Sequence, residues 1–186
     1  IQAVDRRISS NDDDSKALGL IVAGELARHN IKSDEAWRFC LKALEFCDPE
    51  RGANRLQDWD DVGKWLLQSW PEEVIKIAAS KEQSEFSQAT AVLAEAAKKH
   101  PKLVLDSLVP KLKSPYESPI LLNGGFLSVL VSVPADTFAV WVKEQDSEVW
   151  ESIAGHLPKP HLAEGRAVVP ETTRAFWNLC PPGHES

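Results

Sequence analysis

Apolar residues recur along this chain at the three- and four-residue spacing of an amphipathic helix. After "NDDD", Leu18, Ile21, Val22 and Leu26 trace one such stripe, preceded by Asp and Ser side chains able to cap free N–H groups. It stops near Asn30, a residue that tolerates the left-handed conformation of a helix end. A second helix opens at Ser33, with Asp34 and Glu35 at the positive end of its dipole. Trp37, Cys40, Leu41, Leu44 and Cys47 trace one face of it, and Phe39, Ala43 and Phe46 widen that face, which predicts burial on more than one side. Pro49 and Gly52 then predict a loop.

Beyond the loop the same grammar repeats. Trp59, Val62, Leu66 and Trp70 share a stripe, and Pro71, unable to continue that helix, suits the first turn of the next. Residues 84–99 carry the cleanest pattern, with Phe86, Ala89, Thr90, Leu93, Ala96 and Ala97 facing one way and Lys98, Lys99 and His100 opposing the dipole at its end. Pro101 starts a further helix with the stripe Val104, Leu105, Leu108 and Leu112, kinked at Pro110. "PILLNGGFLSVLVSV" is apolar nearly all round, which predicts a central helix broken by Gly124 and Gly125 before Phe126; its Val and Leu also suit a buried strand, but no partner strand exists for it. "PADTFAVWVKEQ", "DSEVWESIAGHL" and "VVPETTRAFWNLC" complete the series. The expectation is an all-α chain of about eight to ten helices joined by short turns, many with proline at the corner, stacked as antiparallel pairs into an α-solenoid.

Composition narrows the function classes. The chain has 186 residues, 43% hydrophobic and 26% charged, which fits one globular domain over 1–186. Its net charge is -7, with the last third acidic and only the stretch 61–115 mildly basic, a poor endowment for displacing counterions from phosphates, so no nucleic-acid partner is expected. The apolar runs fall well short of the roughly 20 residues that span a bilayer, so no membrane association is expected. Cys40 and Cys47 lie two turns apart on one predicted helix, about 10 Å along its axis and beyond disulfide reach. They read as small buried apolar residues of a reduced, cytoplasmic protein. Without an initiator Met or any other methionine, the sequence reads as a piece of a longer protein.

"SEFSQATAVLAEAAKKHPKLVLDSLVPKLKSP", residues 84–115, resembles a HEAT/armadillo-like helical repeat: an alanine-rich first helix, a tight turn with proline, and a Leu/Val-rich second helix ending in a Pro and Lys segment. The resemblance implies a concave surface lined by second helices. On such a surface Lys102, Asp106 and Lys113, facing away from the apolar stripe, would contact a partner.

Chemistry is sparse. His156, His161, Cys180 and His184 carry donors that zinc accepts, but their pairs lack a recognised zinc pattern, and the expectation is one buried Cys and three loop histidines with no metal. There is no Gly-x-Ser-x-Gly elbow and no phosphate-cradling glycine loop. Asp12 to Asp14, and Asp60 with Asp61, read as capping and solvated groups rather than a calcium loop. Seven tryptophans could build an aromatic platform. Most of them lie on the apolar stripes and read as filler between helix layers, whereas Trp65 and Trp141 are expected to stand out as interface anchors. The expected function is a non-catalytic scaffold, without cofactor, binding a protein or peptide partner. The alternative is an enzyme or small-ligand domain with an inter-helix pocket lined by Trp and His. One form of it is suggested by the alkylpurine DNA glycosylases, which resemble a HEAT-like fold but need a basic concave face that this acidic chain does not promise.

Overall fold

In the computed structural model, which describes residues 2–9, 12–47, 55–81, 83–114, 125–157 and 170–179, the described residues form eleven helices and no strand. The helices are α1 (Gln2–Ile8), α2 (Asp13–Arg28), α3 (Asp34–Phe46), α4 (Arg55–Leu66), α5 (Pro71–Ser80), α6 (Gln83–Ala97), α7 (Pro101–Leu112), α8 (Phe126–Ser132), α9 (Ala135–Lys143), α10 (Ser147–His156) and α11 (Glu171–Trp177). The all-α expectation holds, with one helix more than its upper count. The addition is α1, a seven-residue helix with one buried side chain, Ile8, too short and too charged to give a periodic stripe. The chain divides into two compact units, Ile1–Val92 and Leu93–Ser186.

Helix ends follow local chemistry. Asn30 adopts a positive φ of 51°. Its N–H reaches Ala27 O and that of Ile31 reaches Leu26 O, both at 3.0 Å, which satisfies the last carbonyls of α2 as a Schellman motif does. Ser33 Oγ accepts from Ala36 N at 3.2 Å and caps α3. Pro71 and Pro101 occupy the first turns of α5 and α7, where the missing N–H costs nothing. Gly125, at φ 81°, opens α8, and "FLSVLVS" is helical up to Ser132. Past Val133 and Pro134 the chain turns by 109° into α9.

In the first unit α2 packs on α1, α3 and α4, and α3 on α1, α4 and α5. The face by which α2 does so differs from the expected one. Leu18 and Ile21 are 49% and 44% exposed, and the buried face is Ala17, Gly19, Leu20, Ala23, Gly24 and Ala27. Small residues let the helix axes approach closely, which outweighs the stripe of larger side chains. In α3, Ala36, Phe39, Cys40, Ala43 and Leu44 are buried, a broad face, but Phe46, expected to widen it, is 40% exposed at the last turn, and Trp37 and Leu41 are only half-buried. Trp59 is fully enclosed and its Nε1 donates to Leu44 O at 3.1 Å.

In the second unit α9 packs on α7 and α11, α10 on α7, and α11 on α8. Val104, Leu105, Leu108 and Leu112 are buried as their spacing predicts, and Pro110 lies inside α7. The expectation of a central, all-round apolar helix at α8 is corrected: Phe126, Val129 and Leu130 are buried, but Leu127 and Val131 face solvent. Phe138, Trp150, Phe176 and Trp177 form a cluster of ring contacts, with Trp150 and Phe176 centroids 4.8 Å apart.

Cys40 and Cys47 are both buried. Burial pushes the Cys40 thiol up to about 12, so it carries almost no thiolate at neutral pH. Both cysteines should resist alkylation in the folded protein and react once it is unfolded, as peptide-resolved mass spectrometry would show. Labelling of Cys40 under native conditions would contradict this packing.

Candidate functional site

Of the five residues expected to contact a partner, Trp65 lies in the first unit and the other four in the second. Three of them meet. Lys102 and Asp106 lie one turn apart on the solvent side of α7, with Nζ 3.1 Å from Oδ2, the spacing at which opposite charges on a helix pair. Asp106 Oδ1 also accepts from Trp141 Nε1 at 2.8 Å, which ties α7 to α9. Lys113 lies elsewhere. It caps α7 and donates to Asp146, whose other carboxylate oxygen accepts from Val149 N at 3.1 Å at the start of α10.

The tryptophan expectation is corrected. Trp141 is only 2% exposed and Trp65 only 8%. Each indole N–H finds an oxygen from a distant part of its own unit, so the ring can be buried without leaving a donor unsatisfied. For Trp65 that oxygen is Asn30 Oδ1 at 3.1 Å, and its ring stacks on Trp37 with centroids 4.1 Å apart and planes 5° from parallel. Trp37 and Trp70, expected as filler, are only half-buried.

Between α7 and α9 lies an open groove of about 350 Å³, lined by Lys102, Asp136, Thr137, Val140, Trp141 and Glu144. Val140 stands 62% exposed. Asp136 and Glu144 lie one turn before and after it on the same ridge, both exposed. Reading the sequence for apolar stripes passes over this ridge because Val140 is off the core face of Phe138, Trp141 and Val142. A helical projection of "DTFAVWVKE" would have shown an apolar residue between two acids at i−4 and i+4. The groove's polar groups are carboxylates, one ammonium and the Thr137 hydroxyl. Such a set supports ionic and apolar contacts.

Two further open clefts are described. One, of about 460 Å³, runs from Val131 to Ala135 and across to Pro170, Glu171 and Thr172. The other, of about 470 Å³ in the first unit, is bordered by Asp5, Asp34, Glu35, Arg38 and Lys42. Lys42 there donates to Asp5 O at 2.7 Å and ties α1 to α3. No three His, Cys, Asp or Glu side chains among the described residues could hold a metal ion. The set His156, His161, Cys180 and His184 lies outside the described side chains. No single helix among the described residues is long and apolar enough to cross a membrane.

The Lys113–Asp146 pair shows what charge does here. The hydrogen bond from Lys113 holds the Asp146 carboxyl below its ordinary range, aided by the backbone N–H of Val149. The same bond holds the Lys113 ammonium above its ordinary range. A lowered carboxyl contributes stability above its unfolded-state value and loses it as pH falls through the folded one; a raised ammonium contributes below its unfolded-state value and loses it as pH rises through the folded one. The melting-temperature difference between wild type and Lys113→Met should therefore be largest between about pH 5 and pH 9 and shrink toward both acid and alkaline extremes. A pH-independent difference would mean that Lys113 acts through packing.

No protein-family model, curated protein or solved structure matches the chain.

Proposed function

We propose that this chain is a non-catalytic helical-repeat scaffold that binds a protein or peptide partner in the groove between α7 and α9. The observation that carries this reading is an open groove lined by Lys102 and by Trp141, whose indole Asp106 holds in place, beside a solvent-facing Val140. A large apolar side chain held out between charged groups is the composition of an interface core with its polar rim. That the described clefts are open grooves supports binding over the alternative of a Trp- and His-lined catalytic pocket.

The stacked, HEAT-like arrangement belongs to the same proposal. In the first unit the substantial packing joins helices that are first or second neighbours in chain order, as in two layers of helices laid side by side. Arg28 bridges second neighbours, binding the buried Asp58 of α4 from α2.

The test uses Val140 rather than the charged residues, because Asp106 and Lys113 already have partners inside the second unit and reversing them would disturb packing. Immobilised wild type and Val140→Glu are used to capture proteins from native extract, with helical circular dichroism and melting temperature as controls. A partner retained by wild type and lost at least tenfold by the folded variant is the expected result. Equal retention would remove the groove as the binding surface.

A further inference from the structure

We infer that the α7/α9 groove takes an extended basic segment, seating one apolar side chain on Val140 and a Lys or Arg on each side against Asp136 and Glu144. This rests on the groove being a binding surface and adds the chemistry of its occupant. The argument is one of spacing and charge. Asp136 and Val140 on α9 and Glu144 at its C-cap, still in helical backbone conformation, follow one another at four-residue intervals, about 6 Å apart at ~1.5 Å rise per residue. In an extended chain alternate side chains on one face are about 6.6 Å apart at ~3.3 Å per residue. The sequence Lys-x-Leu-x-Lys therefore lays basic, apolar and basic side chains in register with acid, valine and acid.

A groove of about 350 Å³ is at the small end of ligand sites, which run from roughly 300 Å³ upward. It suits one row of side chains better than a docked helix. On the opposite wall Lys102 has its ammonium 3.1 Å from Asp106 Oδ2 and 3.4 Å from Oδ1, so its charge is largely spent. That leaves the carboxylates of Asp136 and Glu144 to set the sign of the potential. A second copy of this chain is a poor occupant, because each copy carries a net charge of -7 and like charges oppose approach.

The probe is a fluorescein-labelled peptide, Ser-Lys-Ser-Leu-Ser-Lys-Ser, titrated with the full chain and followed by fluorescence anisotropy. Two controls carry Glu in place of both lysines or Ser in place of Leu. Saturable binding of the Lys-Leu-Lys peptide alone is expected. Asp136→Asn and Glu144→Gln should each weaken it roughly two- to fivefold, the range for an exposed ion pair. Val140→Ser should weaken it further with the fold intact. Binding should also fade as salt rises from about 0.01 M to about 1 M, where the Debye length falls from ~30 Å to ~3 Å. Binding of the Glu peptide as tightly as the Lys peptide overturns the inference, as does indifference to Asp136→Asn and Glu144→Gln. So does sedimentation showing self-association that Val140→Ser abolishes, since the occupant would then be a second copy. If Val140→Glu loses a captured partner but the basic peptide shows no preference, the scaffold reading stands and this inference alone falls. If neither responds to Val140, both fall.

Discussion

Lys81→Met should lower the stability of the first unit by about 2 kcal/mol, the scale of a lost hydrogen bond to a charged group, seen as an earlier midpoint in urea with an unchanged slope. Lys81 is only 8% exposed, unusual for an ammonium. Its Nζ lies 3.0 Å from Glu45 O and 3.3 Å from Cys47 O, at the C-terminal end of α3. That helix has no basic residue in its own last turn, so the cation that its exposed carbonyls favour is delivered from the end of α5. The same ammonium sits 5.8 Å from the Trp59 ring centroid, close enough for the ring face to add attraction. Methionine keeps the length of the stem and removes only the charge and its donors. A neutral or stabilising result would mean that the cost of desolvating the ammonium cancels all of these contacts.

Arg28→Ala should cost about 3 kcal/mol by thermal or chemical unfolding. The Asp58 side chain is only 6% exposed and is held by Arg28 across the α2–α4 contact. Removing the cation leaves a buried charge unmatched, and such changes typically cost ~3–5 kcal/mol; the 42% exposure of Arg28 puts the value at the low end. Gly24 faces the same carboxylate. A Cβ there would stand 2.7 Å from Asp58 Oδ1 and 3.0 Å from its Cγ, so the carboxylate would have to shift. Gly24→Ala should therefore destabilise the wild type by about 1–2 kcal/mol, the clash exceeding the gain of ~1 kcal/mol in helix propensity. In an Asp58→Ala background the Oδ1 and Cγ contacts are gone and only the Cβ at 3.2 Å remains, so the same substitution should cost much less. Additive effects would separate the two sites, whereas shared action through Asp58 demands strong non-additivity.

What could be read in the sequence divides along physical lines. Helix ends were legible because capping is local: Asn30, Ser33, Pro71, Pro101 and Gly125 each act through their own backbone or a neighbour three or four residues away. Core faces were legible where size and periodicity agreed, as in α7. They were misread in α2, because burial of alanine and glycine depends on how closely another helix approaches, and no window of one helix contains that information. The exposure of Trp65 and Trp141 was misread for a related reason. The oxygens that let them be buried, from Asn30 and Asp106, are 35 residues away in the chain. The groove was half legible: Lys102 followed from the solvent side of a stripe and a repeat-like pattern, but Val140 needed α9 set against α7.

The inverted face of α2 bears on how freely this sequence can drift. Ordinarily leucine and isoleucine mark positions that tolerate little change, while alanine is among the most replaceable residues. Along α2 the order reverses: Leu18 and Ile21 have room for polar or bulkier side chains, whereas Ala17, Ala23, Ala27 and the two glycines admit nothing larger. Variants of this chain selected for folding alone should therefore be most diverse where its α2 is most hydrophobic.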